Sequence, residues 1–208
     1  MSRILTICIC IGVLVGVLGC ADSVISKEDK KAGWVALFNR KDLKGWEATG
    51  GAEWTVENNY LVGTQGEDNA PGDLFTEDSY DDFDLKCVYR VVWPCNTGIW
   101  FRYQSPQKAY QADILEYKDP ECYSGTLYCP GKMFLAMNED KSLVNRQDWN
   151  TMNVRAIGDH LQIWLNGAKV ADVHDTTTGS GKIGFQVHPG AQFGAMKIIV
   201  KELILREL

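Results

Sequence analysis

The 208-residue chain has no run of lysine and arginine. Its 21 basic and 27 acidic side chains are scattered along it, for a net charge of −6. Without a basic cluster there is nothing to track a phosphate backbone, so nucleic acid is not an expected partner. No stretch shows an amphipathic helix longer than two turns, which excludes a helical bundle. Internal repeats, low-complexity tracts and a second composition shift are absent from the mature region, leaving one domain from residue 33 to residue 208. The cysteines lack a close paired motif of the kind that holds zinc. Histidine is scarce, with His160, His174 and His188 the only three, so any chemistry that needs an imidazole has few places to be.

One long apolar run is present, at the N-terminus. Arg3 precedes an uncharged stretch from Ile4 to Gly19, and Val17-Leu18-Gly19-Cys20 resembles a lipobox. The run is short against the ~20 residues of a bilayer span. Residues 1–20 are expected to be a lipoprotein signal peptide, with Cys20 as the lipidation site. An ordinary secretory signal or an uncleaved anchor is the alternative. Residues 21–32 form a polar tether. The expected location is a bacterial lipoprotein on the periplasmic side of a membrane, the outer one by preference, or at the cell surface. Cys87, Cys95, Cys122 and Cys129 remain in the domain, an even number for an oxidising compartment. A Cys122–Cys129 disulfide, stapling a loop at Tyr123-Ser124-Gly125, is the first of the three arrangements four cysteines allow.

The periodicity is that of strands. Phe83, Leu85, Cys87, Tyr89, Val91 and Trp93 alternate with Asp84, Lys86, Val88, Arg90 and Val92. Leu161, Ile163 and Leu165 lead into an Asn166-Gly167 turn, a strong hairpin signal. Residues 182–187 and 196–205 supply late strands. Short strands punctuated by Gly and Asn turns indicate an all-β antiparallel sandwich or jelly roll. Seven Trp and eight Tyr suit either a β core or stacking on sugar rings; Trp46, Trp54, Trp149 and Trp164 are expected in the core.

The polar positions inside strands are the most informative. Asn96 to Arg102 and Tyr110 to Ile114 read as strands on which Arg102, Gln111 and Asp113 face one way, with Gln186-Val187-His188 later in the chain. A cation, amides, a carboxylate and an imidazole on a concave sheet face suit a polyhydroxylated ligand.

In order along the chain, Leu37-Phe38-Asn39, Leu43-Lys44-Gly45-Trp46, Trp54-Thr55-Val56-Glu57, Phe83-Asp84-Leu85, Asn96-Thr97-Gly98-Ile99, Trp149-Asn150, Trp164-Leu165-Asn166-Gly167 and Gly184-Phe185-Gln186 with His188 resemble the 3-keto-disaccharide hydrolase domain family. That family is described as 3-keto-glucoside 1,2-lyase/3-keto-2-hydroxy-glucal hydratase. The resemblance implies a concanavalin A-like, laminin-G-like jelly roll. Two departures stand out. Arg40 replaces a usual Gly, and Tyr110-Gln111-Ala112-Asp113 replaces Tyr-Glu-x-Gln, exchanging amide and carboxylate on one strand face.

The resemblance implies cleavage of 3-keto-glycosides by elimination and hydration. The 3-ketone acidifies the C2 hydrogen, the aglycone leaves from C1, and water adds back. His188 or Asp113 would be the base. Arg102, or a divalent metal held by carboxylates and His188, would stabilise developing charge. Glu116 is a candidate acid or metal ligand. Gln111, Gln186 and Asn150 would bond sugar hydroxyls, with Trp100 a platform. Each has a plainer reading: His188 as a turn residue, Arg102 paired with Asp113, Glu116 as solvated surface, Trp100 as core. The competing functions are a non-catalytic carbohydrate-binding lipoprotein and an adhesion protein.

Overall fold

The structure is a computed structural model that describes residues 24–208. Residues 1–20, with Cys20 and the expected signal, lie outside the described residues. Among the described residues no helix is long and apolar enough to cross a membrane. The described part of the tether carries one short helix, α1 (Lys27–Lys31), capped by the Ser26 side chain, and a buried Ile25.

The strands in chain order are β1 (Val35–Ala36), β2 (Trp46–Gly50), β3 (Glu53–Glu57), β4 (Tyr60–Thr64) and β5 (Gly72–Tyr80). There follow β6 (Phe83–Val92), β7 (Asn96–Ser105), β8 (Lys108–Lys118), β9 (Glu121–Cys129) and β10 (Met133–Asn138). The last are β11 (Asn150–Ile157), β12 (His160–Leu165), β13 (Ala168–His174), β14 (Gly181–Val187) and β15 (Lys197–Glu207). They form two antiparallel sheets. One runs β13-β12-β11-β6-β15-β4-β3 with β1 beside β15, and the other runs β10-β9-β8-β7-β14-β5-β2. The chain is therefore an all-β antiparallel sandwich.

Alternation explains the layering. Phe83, Leu85, Cys87 and Tyr89 of β6 point inward to meet Ile99 and Phe101 of β7, Tyr110 and Ile114 of β8, and Ile183, Phe185 and Val187 of β14. Asn166 and Gly167 both have positive φ, at 49° and 89°, which is the backbone a two-residue hairpin turn requires. Trp46 is buried, stacks on Phe185 and donates from Nε1 to the Leu37 carbonyl. Trp54 packs half-buried against the core. Trp149 and Trp164 depart from expectation. They lie half-buried outside the core, under Arg90 and Lys201 in one case and Lys169 in the other. Trp164 is the outward partner of Ile163 and Leu165, so the alternation itself turns it away.

The expected Cys122–Cys129 disulfide is not formed. All four domain cysteines are buried free thiols. Cys122 and Cys129 lie near opposite ends of the single strand β9, not in a loop. Seven residues of extended chain hold them roughly 20 Å apart, against the ~4.4–6.8 Å between Cα atoms that a disulfide needs.

Candidate functional site

The inner faces of β5, β7, β8 and β14 belong to the core, so their alternate residues fall on the outer face of the seven-stranded sheet. Register aligns these into rows. Asp73 pairs with Gln186, Gln186 with Gly98, and Gly98 with Asp113. In the next row Phe75 pairs with Gly184, Gly184 with Trp100, Trp100 with Gln111, and Gln111 with Tyr128. On the other side Asn96 pairs with Leu115, and the His188 amide donates to the Asn96 carbonyl at 3.3 Å. These rows floor a cavity of about 360 Å³, within the range of small-molecule sites.

Gly98 leaves a gap in the first row. A Cβ there would come within 2.6 Å of the Gln111 side chain, so glycine lets that amide lie across the sheet. Gln111 Nε2 reaches Gln186 Oε1 at 3.4 Å. One wall is aromatic. Phe75 stacks on Tyr103 with ring centres 4.0 Å apart, Trp100 meets Tyr103 and Tyr128, and Phe134 touches Tyr128 and Tyr117. Such a wall offers faces to the C–H surfaces of a sugar.

Asp113 is 3% exposed and accepts no hydrogen bond from any described residue. Burial alone pushes its carboxyl well above the ordinary carboxylate range, since no neighbouring cation offsets the desolvation. Asp73 is also pushed up by burial, and the Trp100 indole, donating from Nε1 to Oδ1 at 2.8 Å, partly opposes this. His188 is held by its surroundings. Its Nδ1 lies 2.8 Å from the Pro189 carbonyl, which can only accept, so Nδ1 carries a proton and Nε2 is the basic atom of the neutral ring. Gln65 Nε2 donates to the His188 and Gly190 carbonyls at 2.7 and 3.0 Å, fixing the turn that carries the imidazole.

The structure brings Asp113, Gln111, Gln186, Trp100 and His188 together. It does not bring the other three. Arg102 has φ 49° at a register shift between Phe101 and Ser105, which breaks the alternation. Its fully buried guanidinium donates to the Asp81 carbonyl at 2.8 Å, the Gly158 carbonyl at 2.6 Å and Asp82 Oδ1 at 2.9 Å. It braces two turns and does not pair with Asp113. Asn150 belongs to the opposite sheet, where its side chain bonds the Asn145 backbone and Asn166. Glu116 falls on the opposite face of β8 from Asp113 and Leu115 and pairs with Arg146. Asp73 is the addition that sequence reading missed. Its signal was an acid two residues before Phe75, at alternate positions to Leu74 and Thr76.

Among the described residues, Asp73, Asp113 and His188 are the carboxylate and imidazole groups that line the cavity. Among the described residues no three His, Cys, Asp or Glu side chains converge on a point that would hold a metal ion. The expected divalent metal held by carboxylates and His188 therefore does not find its ligand set among the described residues.

The family profile of the 3-keto-alpha-glucoside-1,2-lyase-like domain matches residues 33–199. The chain belongs to this family. Solved structures share its fold. A candidate glycosyl hydrolase from Parabacteroides distasonis superposes with TM-score 0.69 at 20% identity, covering 88% of this chain and 98% of that one. A Bacillus subtilis protein of unknown function with a galectin-like fold gives 0.67 at 16%, covering 84% and 94%. The carbohydrate recognition domain of Emp46p gives 0.59 at 15%, covering 80% and 90%. Among curated proteins none matches the chain significantly. Family membership places this lyase-like domain in a carbohydrate-related role.

Proposed function

We propose that this lyase-like domain cleaves 3-keto-glucosides by elimination followed by hydration, in the cavity on the seven-stranded sheet. The observation that carries the reading is Asp113, a buried carboxyl without a hydrogen-bond or ion-pair partner among the described residues, in one cavity with an imidazole whose basic atom is Nε2. His188 Nε2 removes the proton from C2, which the adjacent ketone acidifies. The electron pair moves onto the ketone oxygen, where amide N–H groups of Gln111 and Gln186 receive it. As the C1–O bond breaks, Asp113, protonated because it is buried, gives its proton to the departing oxygen. The Asp113 carboxylate then takes a proton from the water that attacks C1. His188 returns its proton to C2, so that the free 3-keto sugar results and both groups regain their starting states. Asp73, aligned by Trp100, accepts from a sugar hydroxyl.

The fold likeness to carbohydrate recognition domains and the aromatic wall also suit a binding protein without chemistry. The two readings separate on a 3-keto-glucoside bearing a chromogenic aglycone. Aglycone release with solvent deuterium at C2, lost in His188→Ala and Asp113→Asn, supports elimination. Retention of the intact ligand without release would favour the binding reading. The same proposal places the protein at a bacterial membrane on its periplasmic side, held by a lipid on Cys20. Metabolic labelling with a fatty acid, compared with Cys20→Ala, tests this.

A further inference from the structure

We propose that the outer face of the eight-stranded sheet carries a second binding site, for a uronate, a sugar ring bearing one carboxylate. It lies on the far side of the sandwich from the cavity and stands whether or not that cavity performs elimination. Register builds it. Arg155 pairs with Asp84 and Asp84 with Arg206, and in the next row Asn153 pairs with Trp164. Trp34 closes the other end, just before β1, which pairs with β15 at Leu205, next to Arg206. These six side chains line a depression of about 280 Å³, room for a single ring. Four strand spacings, roughly 19 Å, separate the backbones of the two tryptophans, so an indole bounds the depression at each end.

The lining selects the charge of its occupant. Asp84 accepts from Nε and Nη2 of Arg155 and from Nη2 of Arg206. Those three bonds satisfy the carboxylate and leave the triad one positive charge. They also fix both guanidinium groups before any ligand arrives, which lowers the ordering cost of binding. Nη1 of neither arginine is engaged by a described residue, and both side chains are partly open to solvent, at 41% and 32%. A carboxylate is the acceptor that a guanidinium edge matches. Each indole is held by a cation in turn. Arg206 lies over the Trp34 ring at 5.3 Å and Lys169 Nζ over that of Trp164 at 5.5 Å. Both rings are half-buried, and an indole offers a face to the C–H surface of a pyranose. A simple inorganic anion would use the arginines and leave the indoles idle. A neutral sugar would use the indoles and leave the positive charge uncompensated.

The test is a calorimetric titration of the protein with methyl β-glucuronide, methyl β-glucoside and acetate. Wild type should bind the glucuronide at least about tenfold more tightly than either of the others. Trp164→Leu and Arg155→Met should each weaken that binding about tenfold, and His188→Ala, in the cavity, should leave it unchanged. Trp164 lies half-buried outside the core, so its variant still decides the matter if loss of a partner of Asp84 impairs folding. Acetate bound as tightly as the glucuronide would reduce the depression to a simple anion site and overturn the proposal, as would equal affinity for the glucoside or binding of none of the three. Glucuronide binding lost in His188→Ala and kept in Trp164→Leu would move the ligand to the cavity and overturn it as well. None of these outcomes bears on the elimination reading.

Discussion

Asp113 and Asp84 sit on the two outer faces of one sandwich and are treated in opposite ways. On the eight-stranded sheet, Asp84 accepts from Arg155 Nε at 2.6 Å, Arg155 Nη2 at 2.8 Å and Arg206 Nη2 at 2.6 Å. Burial would raise its pKa, but those guanidinium hydrogen bonds outweigh the desolvation and hold it below the ordinary value. On the seven-stranded sheet, Asp113 is more deeply buried and has no cation beside it among the described residues, so desolvation stands unopposed. A protein that supplies two arginines to one carboxylate and none to another separates structural from chemical use. The unpaired acid in a cavity is the one available to a ligand.

The comparison breaks most visibly at Asp113. Asp113→Asn should lower turnover of a 3-keto-glucoside by about 10²–10⁴-fold while raising the melting temperature. The sign follows from linkage. A carboxyl raised in the folded state contributes stability that is complete at acid pH and is lost as pH climbs from the unfolded value through the folded one. The variant's thermal advantage should therefore grow with pH over that window and then level off. An advantage constant from pH 4 to 9 would count against a neutral Asp113.

Arg102 comes next. Removing its buried guanidinium in Arg102→Met should cost about 3 kcal/mol of unfolding free energy, with turnover per folded molecule unchanged. Loss of turnover at full folding would return it to the site. Asp84→Asn should cost about 1–2 kcal/mol at neutral pH, discounted because both arginines are partly exposed. Its folded pKa is lowered, so that contribution is lost as pH falls from the unfolded value through the folded one, and the two proteins should converge in acid denaturation. The smallest effect belongs to Trp100→Phe, which keeps the ring and deletes the bond to Asp73. It should raise KM a few-fold and leave the C2 exchange rate at saturation nearly intact.

Much of this was readable from residue order. The i, i+2 rule placed Gln111 with Asp113, and the all-β class followed from period two. What failed did so for local backbone reasons. Arg102 should share a face with Trp100, but its positive φ and the register shift beside it turn the strand, and a one-residue slip exchanges faces. The cysteine pairing failed because residues 122–129 are one strand and not a loop. Asn150 carries the residue type of a sugar ligand, and only its partners show that it closes a turn. Asp73 needed the register of β5 against β14, which no local pattern contains.

That register has a kinetic face. Asp73 and Gln186 are cross-strand partners more than a hundred positions apart, and Gln186 joins Asp113 only through Gly98 of an intervening strand. The site thus rests on long-range pairing, and closing it requires a loop of more than a hundred residues to be closed first. Activity should recover in the last observable refolding phase, in step with burial of the core, and no fragment short of the full sheet should retain a fraction of it.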